Sequence, residues 1–382
     1  MAILWRTSAL AQRHAAIGGE LEDWNGMGTA WFYDHTPERA KADYEAIRTK
    51  AGLMDVSGLK KVHVVGEAAA YVIDRVTTRN VEKIAPGRST YACILDERGL
   101  FVDDCVIYHL AVNSWMVVHG TGTGMEHLTK VAAGKNCAVI FDDDLHDMSL
   151  QGPKAVDILA QDVDGIRDLA YFGLMQTRLY GCDVMISRTG YTGERGYEIF
   201  CKRKDAVRIW DTLLEKGGDD VRPTQFSTLD MLRIESYLLF YPGDNSETFP
   251  FADGTPAGDS LWELGLDFTV SPGKTGFIGA ENHYALKGRE RFKIFGVKLK
   301  ESMDRMEMEA RVHHDGRDVG VITYGLSSEL NGYSVAIARL DPEVAKPGTP
   351  LTVVQPDGTE LAATAEEMPF YDKDKSIRTA KG

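Results

Sequence analysis

The chain has 382 residues, 43% of them hydrophobic and 26% charged, and a formal net charge of −14. That length exceeds the size at which one hydrophobic core stops growing, so two or three packed subdomains are expected. The acidic balance argues against nucleic acid or an anionic membrane as partner, since both reward basic surfaces. It leaves room for a small anion in a local basic pocket.

The opening stretch "MAILWRTSALAQRHAAIGGELEDWNG" lacks the apolar core of a signal peptide, and no run of about 18 apolar residues occurs. Cys93, Cys105, Cys137, Cys182 and Cys201 are odd in number, scattered, and without a C-x-x-C. They read as free buried thiols of a cytoplasmic protein, not as a zinc or redox site.

In chain order, Val62 to Val65 reads as a short strand and Glu67 to Thr78 as the helix after it. Tyr91 to Leu95 and Phe101 to Leu110 read as strands joined by a tight turn at Asp96 to Gly99. "SWMVVHG" adds a strand and "GTGMEHLTKVAAG" a helix. "HDMSLQGPKAVDILAQ" is then strand, corner and helix, and "TRLYGCDVMISRTGYTGERGYEIFCK" is strand, loop and strand. "KDAVRIWDTLLEKG" is an amphipathic helix with Val207, Ile209, Trp210, Leu213 and Leu214 on one face. "STLDMLRIESYLLF" is a further helix, with Ser227 or Thr228 as its cap. A loop rich in glycine and proline follows from Pro242 to Gly258. From about Arg291, short strands with turns at Asp315-Gly316 and Asp357-Gly358 predict an antiparallel barrel. Strand, hairpin and helix recur in the first two-thirds, which is mixed α+β and suggests two similar units.

Two stretches carry candidate chemistry. Asp103 and Asp104 interrupt the apolar strand "GLFVDDCVIY", and alternation sends their side chains to opposite faces. One then faces the interior or a cleft while the other is solvated, unless the pair simply lies at a sheet edge. The glycines of "SRTGYTGERGYEIF", Gly190, Gly193 and Gly196, fit neither a P-loop nor G-x-G-x-x-G. They fit a turn between strands that aims Glu198 inward. A buried carboxylate there accepts two parallel hydrogen bonds from an amidine-like edge, as in pterins and purines. The alternative is an ion pair with Arg188 or Arg233. His313 and His314 lack metal-ligand company, and no residue is assigned to a metal.

"MDVSGLKKVHVVG", "RGLFVDDCVIY", "SLQGPKAVDIL", "SRTGYTGERGYEIF", "LDMLRIESYLLFYPGD", "WELGL" and "GFIGAENHYAL" occur in the order found in the aminomethyltransferase family, whose founding member is the glycine cleavage T-protein. The resemblance runs from about Asp23 to the "PFY" at Pro369 to Tyr371. It implies an α+β, three-domain, cloverleaf-like chain around a central folate channel, with regions at 1–145, 146–290 and a barrel at 291–382. It also implies transfer of a one-carbon unit to N5 of tetrahydrofolate, the acceptor. Asp104 matches the family's catalytic aspartate, and Glu198 the glutamate that holds the pterin. Tyr91 matches a tyrosine near the folate, and Arg188 and Tyr191 fall with the cofactor-binding residues.

The departures concern the donor side. Gly58 and Leu59 replace histidine and methionine, and His119 and Gly122 stand where asparagines are usual. Leu229 and Asp372 occupy arginine positions, and the segment from Ser246 to Asp259 is longer than usual. This pattern points to a folate enzyme with another donor: a demethylase moving a methyl group from a small sulfonium, amine or methoxy compound to N5. Trp24, Trp31, Phe32 and Tyr33, with His119, are the candidate donor-side residues, either as a cation-binding group or as an aromatic core plug. One alternative is the T-protein itself, which requires a lipoyl carrier protein. The other is a non-catalytic folate-binding protein of iron–sulfur cluster maintenance, although every cysteine here lies at or before Cys201.

Overall fold

The computed structural model describes residues 6–251 and 254–381. The first five residues of the opening stretch, and positions 252 and 253 within the Ser246 to Asp259 segment, lie outside them.

Two antiparallel sheets share one plan. In the first, Lys60–Val65 leads into the helix Ala69–Val76, the strands Arg88–Leu95, Phe101–Ala111 and Ser114–His119, and the helix Gly124–Ala132. In the second, Leu145–Gln151 leads into the helix Ala155–Leu159, the strands Leu174–Leu179, Cys182–Ser187 and Gly196–Lys202, and the helix Arg203–Gly217. In both, the first strand lies beside the fourth, which pairs with the third, which pairs with the second. The recurrence expected from sequence is therefore present. Each sheet gains a further strand on the other side of its first strand: Ala138–Phe141 in the first, Gly52–Asp55 in the second. The stretch 1–145 thus feeds both sheets, and a third, small sheet of Arg6–Thr7, Glu20–Trp24 and Met27–Phe32 as well.

Alternation gives each sheet a core face. Val62, Val64, Ile94, Cys105, Ile107 and Val117 pack beneath the helices of the first unit. Leu53, Leu150, Ile186, Tyr197 and Ile199 do so in the second, against Trp210 of the helix Arg203–Gly217. The remaining faces turn toward each other, where Tyr108 and Met116 of the first sheet meet Phe200 of the second.

The C-terminal strands from Lys293 to Glu366 close into a six-stranded barrel filled by Val297, Val312, Ile322, Leu340 and Val353. Asp315 and Gly316 both have positive φ, the geometry of the tight hairpin their sequence predicts. The same turn occurs at Tyr180-Gly181, which splits "TRLYGCDVMIS" into two strands where one was expected. A tyrosine in a left-handed position hid that hairpin. The helix expected to run on to Phe240 stops at Ser236, because Tyr237 turns left-handed at φ 46°. Ser227 is its N-terminal boundary, but neither it nor Thr228 caps the helix with its side chain. All five cysteines are free; four are buried and Cys137 is half-buried.

One ionic hub joins these parts. The helix Pro37–Thr49 starts cleanly, with Pro37 in its first turn and the Thr36 hydroxyl accepting from Arg39 N–H. Its last turn delivers Arg48, whose guanidinium reaches Glu194 Oε1 at 2.9 Å and Glu235 Oε2 at 2.6 Å. Glu235 Oε1 accepts from the Tyr44 and Tyr333 hydroxyls, each at 2.7 Å, and from Asn331 at 2.8 Å. Tyr371 stacks on Arg48 at 4.0 Å. All three charged side chains are at most 2% exposed. Removing the cation strands two buried carboxylates, so Arg48→Met is expected to cost about 3–5 kcal/mol. Urea denaturation of the full chain measures this; a loss below about 1 kcal/mol contradicts the hub's importance.

Candidate functional site

The strand Phe101–Ala111 is not a sheet edge; it lies between Arg88–Leu95 and Ser114–His119. Asp103 points into the core of the first unit and is fully buried. Asp104 takes the opposite face, toward the second sheet, and is partly buried, so neither carboxylate sits on the outer surface. The Tyr91 hydroxyl donates to Asp104 Oδ2 at 2.7 Å. Burial, reinforced by the Asp103 charge, raises the Asp104 carboxyl to about 7, against the opposing bond from Tyr91.

Glu198 approaches from the facing wall. In the strand Gly196–Lys202 its neighbours Tyr197 and Ile199 enter the core, which leaves Glu198 and Phe200 on the face toward Asp104's sheet. Glu198 Oε2 accepts from the Tyr108 hydroxyl at 3.1 Å, a bond that crosses between the sheets, and from the Thr189 hydroxyl. Among the described residues no donor reaches Oε1. Burial raises the Glu198 carboxyl, and the two hydroxyls oppose that.

The alternative, an ion pair of Glu198 with Arg188 or Arg233, is not formed. Arg188 donates to the carbonyls of Leu169, Arg378 and Ala380, tying down the C-terminal tail. Arg233 pairs with Asp230 at 3.0 Å and Asp244 at 2.7 Å. Both arginines are committed to other partners, and Glu198 stays partly exposed on the face toward the first sheet.

The glycine loop owes its composition to Gln151. A Cβ on Gly190 or Gly196 would approach Gln151 Oε1 to 2.1 or 1.9 Å. The Gln151 side chain donates to Thr189 O and accepts from Thr192, so it threads the loop and fixes Thr189 beside Glu198. Tyr191, in the same loop, donates to the carbonyls of Leu238 and Leu239. Burial raises its phenol against the opposing charge of Arg233, and Asp104 adds to the rise.

The donor-side candidates separate. Trp24 and Trp31 flank Phe226, with ring centroids 4.5 and 4.4 Å away, and share a cluster with Leu59, Tyr191, Leu229 and Met231. A Cβ on Gly58 would lie 2.3 Å from the Trp24 ring, so this glycine makes room for the indole. Phe32 instead packs on His35. Tyr33 turns inward, with its hydroxyl 2.9 Å from His14 Nδ1, and His14 Nε2 lies 3.0 Å from Asp55. His119 lies behind the sheet, its Nδ1 2.8 Å from Asp103 Oδ2.

Sequence reading missed Tyr108, Thr189 and Gln151. Tyr108 was within reach, because it follows Asp104 by four residues on the same strand face. It also missed Asp147 and Lys61. Asp147 is fully buried, and neither of its oxygens has a hydrogen-bond partner among the described residues. Lys61, from the opposite sheet, donates to Ser57 O at 2.6 Å and Leu59 O at 2.7 Å, and burial lowers its ammonium to about 8 against the pull of Asp147. Asp372, expected to differ from the family's arginine, pairs with Arg378 at 2.9 Å and holds the tail.

Comparison with known proteins now bears on this arrangement. The family model "GCVT N-terminal domain" matches residues 10–273, and "Glycine cleavage T-protein C-terminal barrel domain" matches 293–372. The chain belongs to the aminomethyltransferase (glycine cleavage T-protein) family. These are enzymes of one-carbon transfer. Within the family, it is 58% identical, over the whole of both chains, to the heme-dependent oxidative N-demethylase gamma subunit of Ectopseudomonas mendocina. It is 30% identical to the aminomethyltransferase of Cutibacterium acnes, covering 96% of this chain and 99% of that one. The glycine cleavage system aminomethyltransferase T of Bartonella henselae shares the T-protein fold, with a TM-score of 0.84, 24% identity, and coverage of 96% and 98%.

The raised Asp104 carboxyl has a consequence for stability. In the unfolded chain it ionises near pH 4, but in the folded chain only near 7. Stability is therefore lost as pH rises between these values, at up to about 1.4 kcal/mol per pH unit. Partial exposure reduces the total, so Asp104→Asn is expected to stabilise the protein by on the order of 2 kcal/mol at pH 8 and to be neutral near pH 4. Denaturant titrations at both pH values check the sign.

Proposed function

We propose that this chain transfers a one-carbon unit from an N-methyl donor to tetrahydrofolate, bound in the cleft between the two sheets. The observation that carries the reading is the pair of carboxylates on facing walls, Asp104 held by Tyr91 and Glu198 held by Tyr108 and Thr189. An ionised Glu198, with Oε2 fixed and Oε1 open, suits the adjacent ring N–H and amino donors of a pterin. Asp104 then serves the N5 side. The strands from Lys60 to His119 supply one wall and those from Leu145 to Lys202 the other, and the barrel at 291–382 closes the assembly.

The relative named as an oxidative N-demethylase subunit favours a carbon delivered at the oxidation level of formaldehyde over direct transfer of a methyl group. N5 attacks that carbon and loses its proton, N10 closes the ring and loses its own, and the carbonyl oxygen leaves with both protons as water. A carboxyl that titrates near neutrality can accept the N5 proton as the C–N bond forms and return it to the departing oxygen. Positioning by the pterin contacts supplies much of the remaining rate. The heme in that relative's name is assigned to a partner subunit, and the carboxylates and hydroxyls here suit a pterin.

Three outcomes separate the possible donors. With tetrahydrofolate, formaldehyde or an oxidising N-methylamine partner is expected to give 5,10-methylenetetrahydrofolate. Formation of 5-methyltetrahydrofolate from a methylated donor alone instead supports direct methyl transfer. Activity confined to an aminomethylated lipoyl carrier, with ammonia release, overturns the proposal. Glu198→Ala is expected to weaken folate binding at least tenfold by calorimetry, and unchanged affinity refutes the pterin assignment. Asp104→Asn is expected to lower kcat by about 10²-fold or more while folate affinity holds.

A further inference from the structure

The chemistry proposed above leaves Asp103 unused, yet the polypeptide closes tightly around it. Asp104 N–H donates to its Oδ1 at 2.9 Å and Gly124 N–H to its Oδ2 at 2.8 Å. His119 Nδ1 lies 2.8 Å from the same Oδ2, off the ideal hydrogen-bond line. A Cβ on Gly122 would come within 2.4 Å of Asp103 Cγ, and one on Gly124 within 2.9 Å of Oδ2 and 3.1 Å of His119 Nδ1. Gly122 and Gly124 of "HGTGTG" are thus the space in which this carboxylate sits. The helix Gly124–Ala132 takes no cap from its own Thr123 side chain, and Asp103 serves in its place.

We propose that Asp103 and His119 form a positioning pair that sets, from behind the sheet, the charge carried by Asp104. This rests on the reading of Asp104 as the group at N5. The two carboxylates sit on consecutive residues in a buried sheet, where the charge on one disfavours the charge on the other. His119, with its Nδ1 edge 2.8 Å from Asp103 Oδ2, weakens that effect. Asp104 is faced by Tyr91 and Cys93 from the neighbouring strand and by Tyr191 from the glycine loop. Asp103 is faced by His119, the Gly124 amide, Cys105 and Tyr241. Of these, His119 alone can carry a positive charge.

The test is a carboxyl ¹³C NMR titration of the full chain, with the Asp104 signal assigned by Asp104→Asn. Asp103→Asn is expected to lower the Asp104 midpoint by about one pH unit, and His119→Leu to raise it. His119→Asn, whose side-chain amide offers an N–H toward Asp103, is expected to restore the parent midpoint. If Asp103→Asn does not fold, the two His119 variants decide. A midpoint that stays put in the folded variants, or falls in His119→Leu, overturns the inference. The midpoint is read without turnover. Failure of the folate reading, seen as full activity in Asp104→Asn, is therefore distinguishable from failure of this one.

Discussion

The buried contact between Arg48, Glu194 and Glu235 is where separate stretches of chain become one body. It joins an N-terminal helix, the glycine loop, the helix Thr228–Ser236, the barrel and the tail after it. Burying two carboxylates with one guanidinium is unfavourable unless every remaining lone pair is used, and hydroxyls from Tyr44 and Tyr333 with the Asn331 amide use those of Glu235. The same contact sets the position of Thr192, whose carbonyl accepts from Arg48 and from Ser236. The loop that supports Glu198 is therefore held at one end by this hub and at its centre by Gln151.

The distinction between carboxylates that organise the fold and those that face the cleft follows from their partners. Asp103, Glu194 and Glu235 are surrounded by N–H and O–H donors or by an arginine. Asp104 and Glu198 each receive hydroxyl donors at one oxygen only and remain partly exposed. A carboxylate satisfied on one side can bind a ligand with the other, whereas a fully satisfied one is a structural anchor. Asp147 belongs to neither group: it lacks partners and is closed off, beside a lysine whose ammonium is itself weakened.

Much of this was legible in the sequence. Period-two alternation in "GLFVDDCVIY" separates Asp103 from Asp104, and the spacing of Gly190, Gly193 and Gly196 excludes a phosphate loop. The barrel announced itself through its Asp-Gly turns. What could not be read was contact between distant segments. That Gln151 threads the glycine loop, or that Tyr108 reaches Glu198 ninety positions away, depends on how two sheets face each other. The direction of Arg188 and Arg233 was equally hidden, since a charged side chain's partner is chosen by tertiary packing. Tyr180 and Tyr237 defeated local rules because bulky residues rarely take left-handed backbone, so nothing in their chemistry marks a turn or a helix end.

The two sheets repeat one strand order, yet the cleft belongs to neither. Asp104 stands on the third strand of the first unit and Glu198 on the fourth strand of the second. A structure doubled in this way divides responsibility: each half keeps its own core behind its own sheet and contributes a single wall in front. The Tyr108–Glu198 hydrogen bond links the two walls, so a substitution at Tyr108 reaches across to the facing wall. The small sheet carrying Trp24 and Trp31 belongs to neither repeat, yet its indoles share an apolar cluster with Met54 of the second sheet and Tyr191 of the glycine loop.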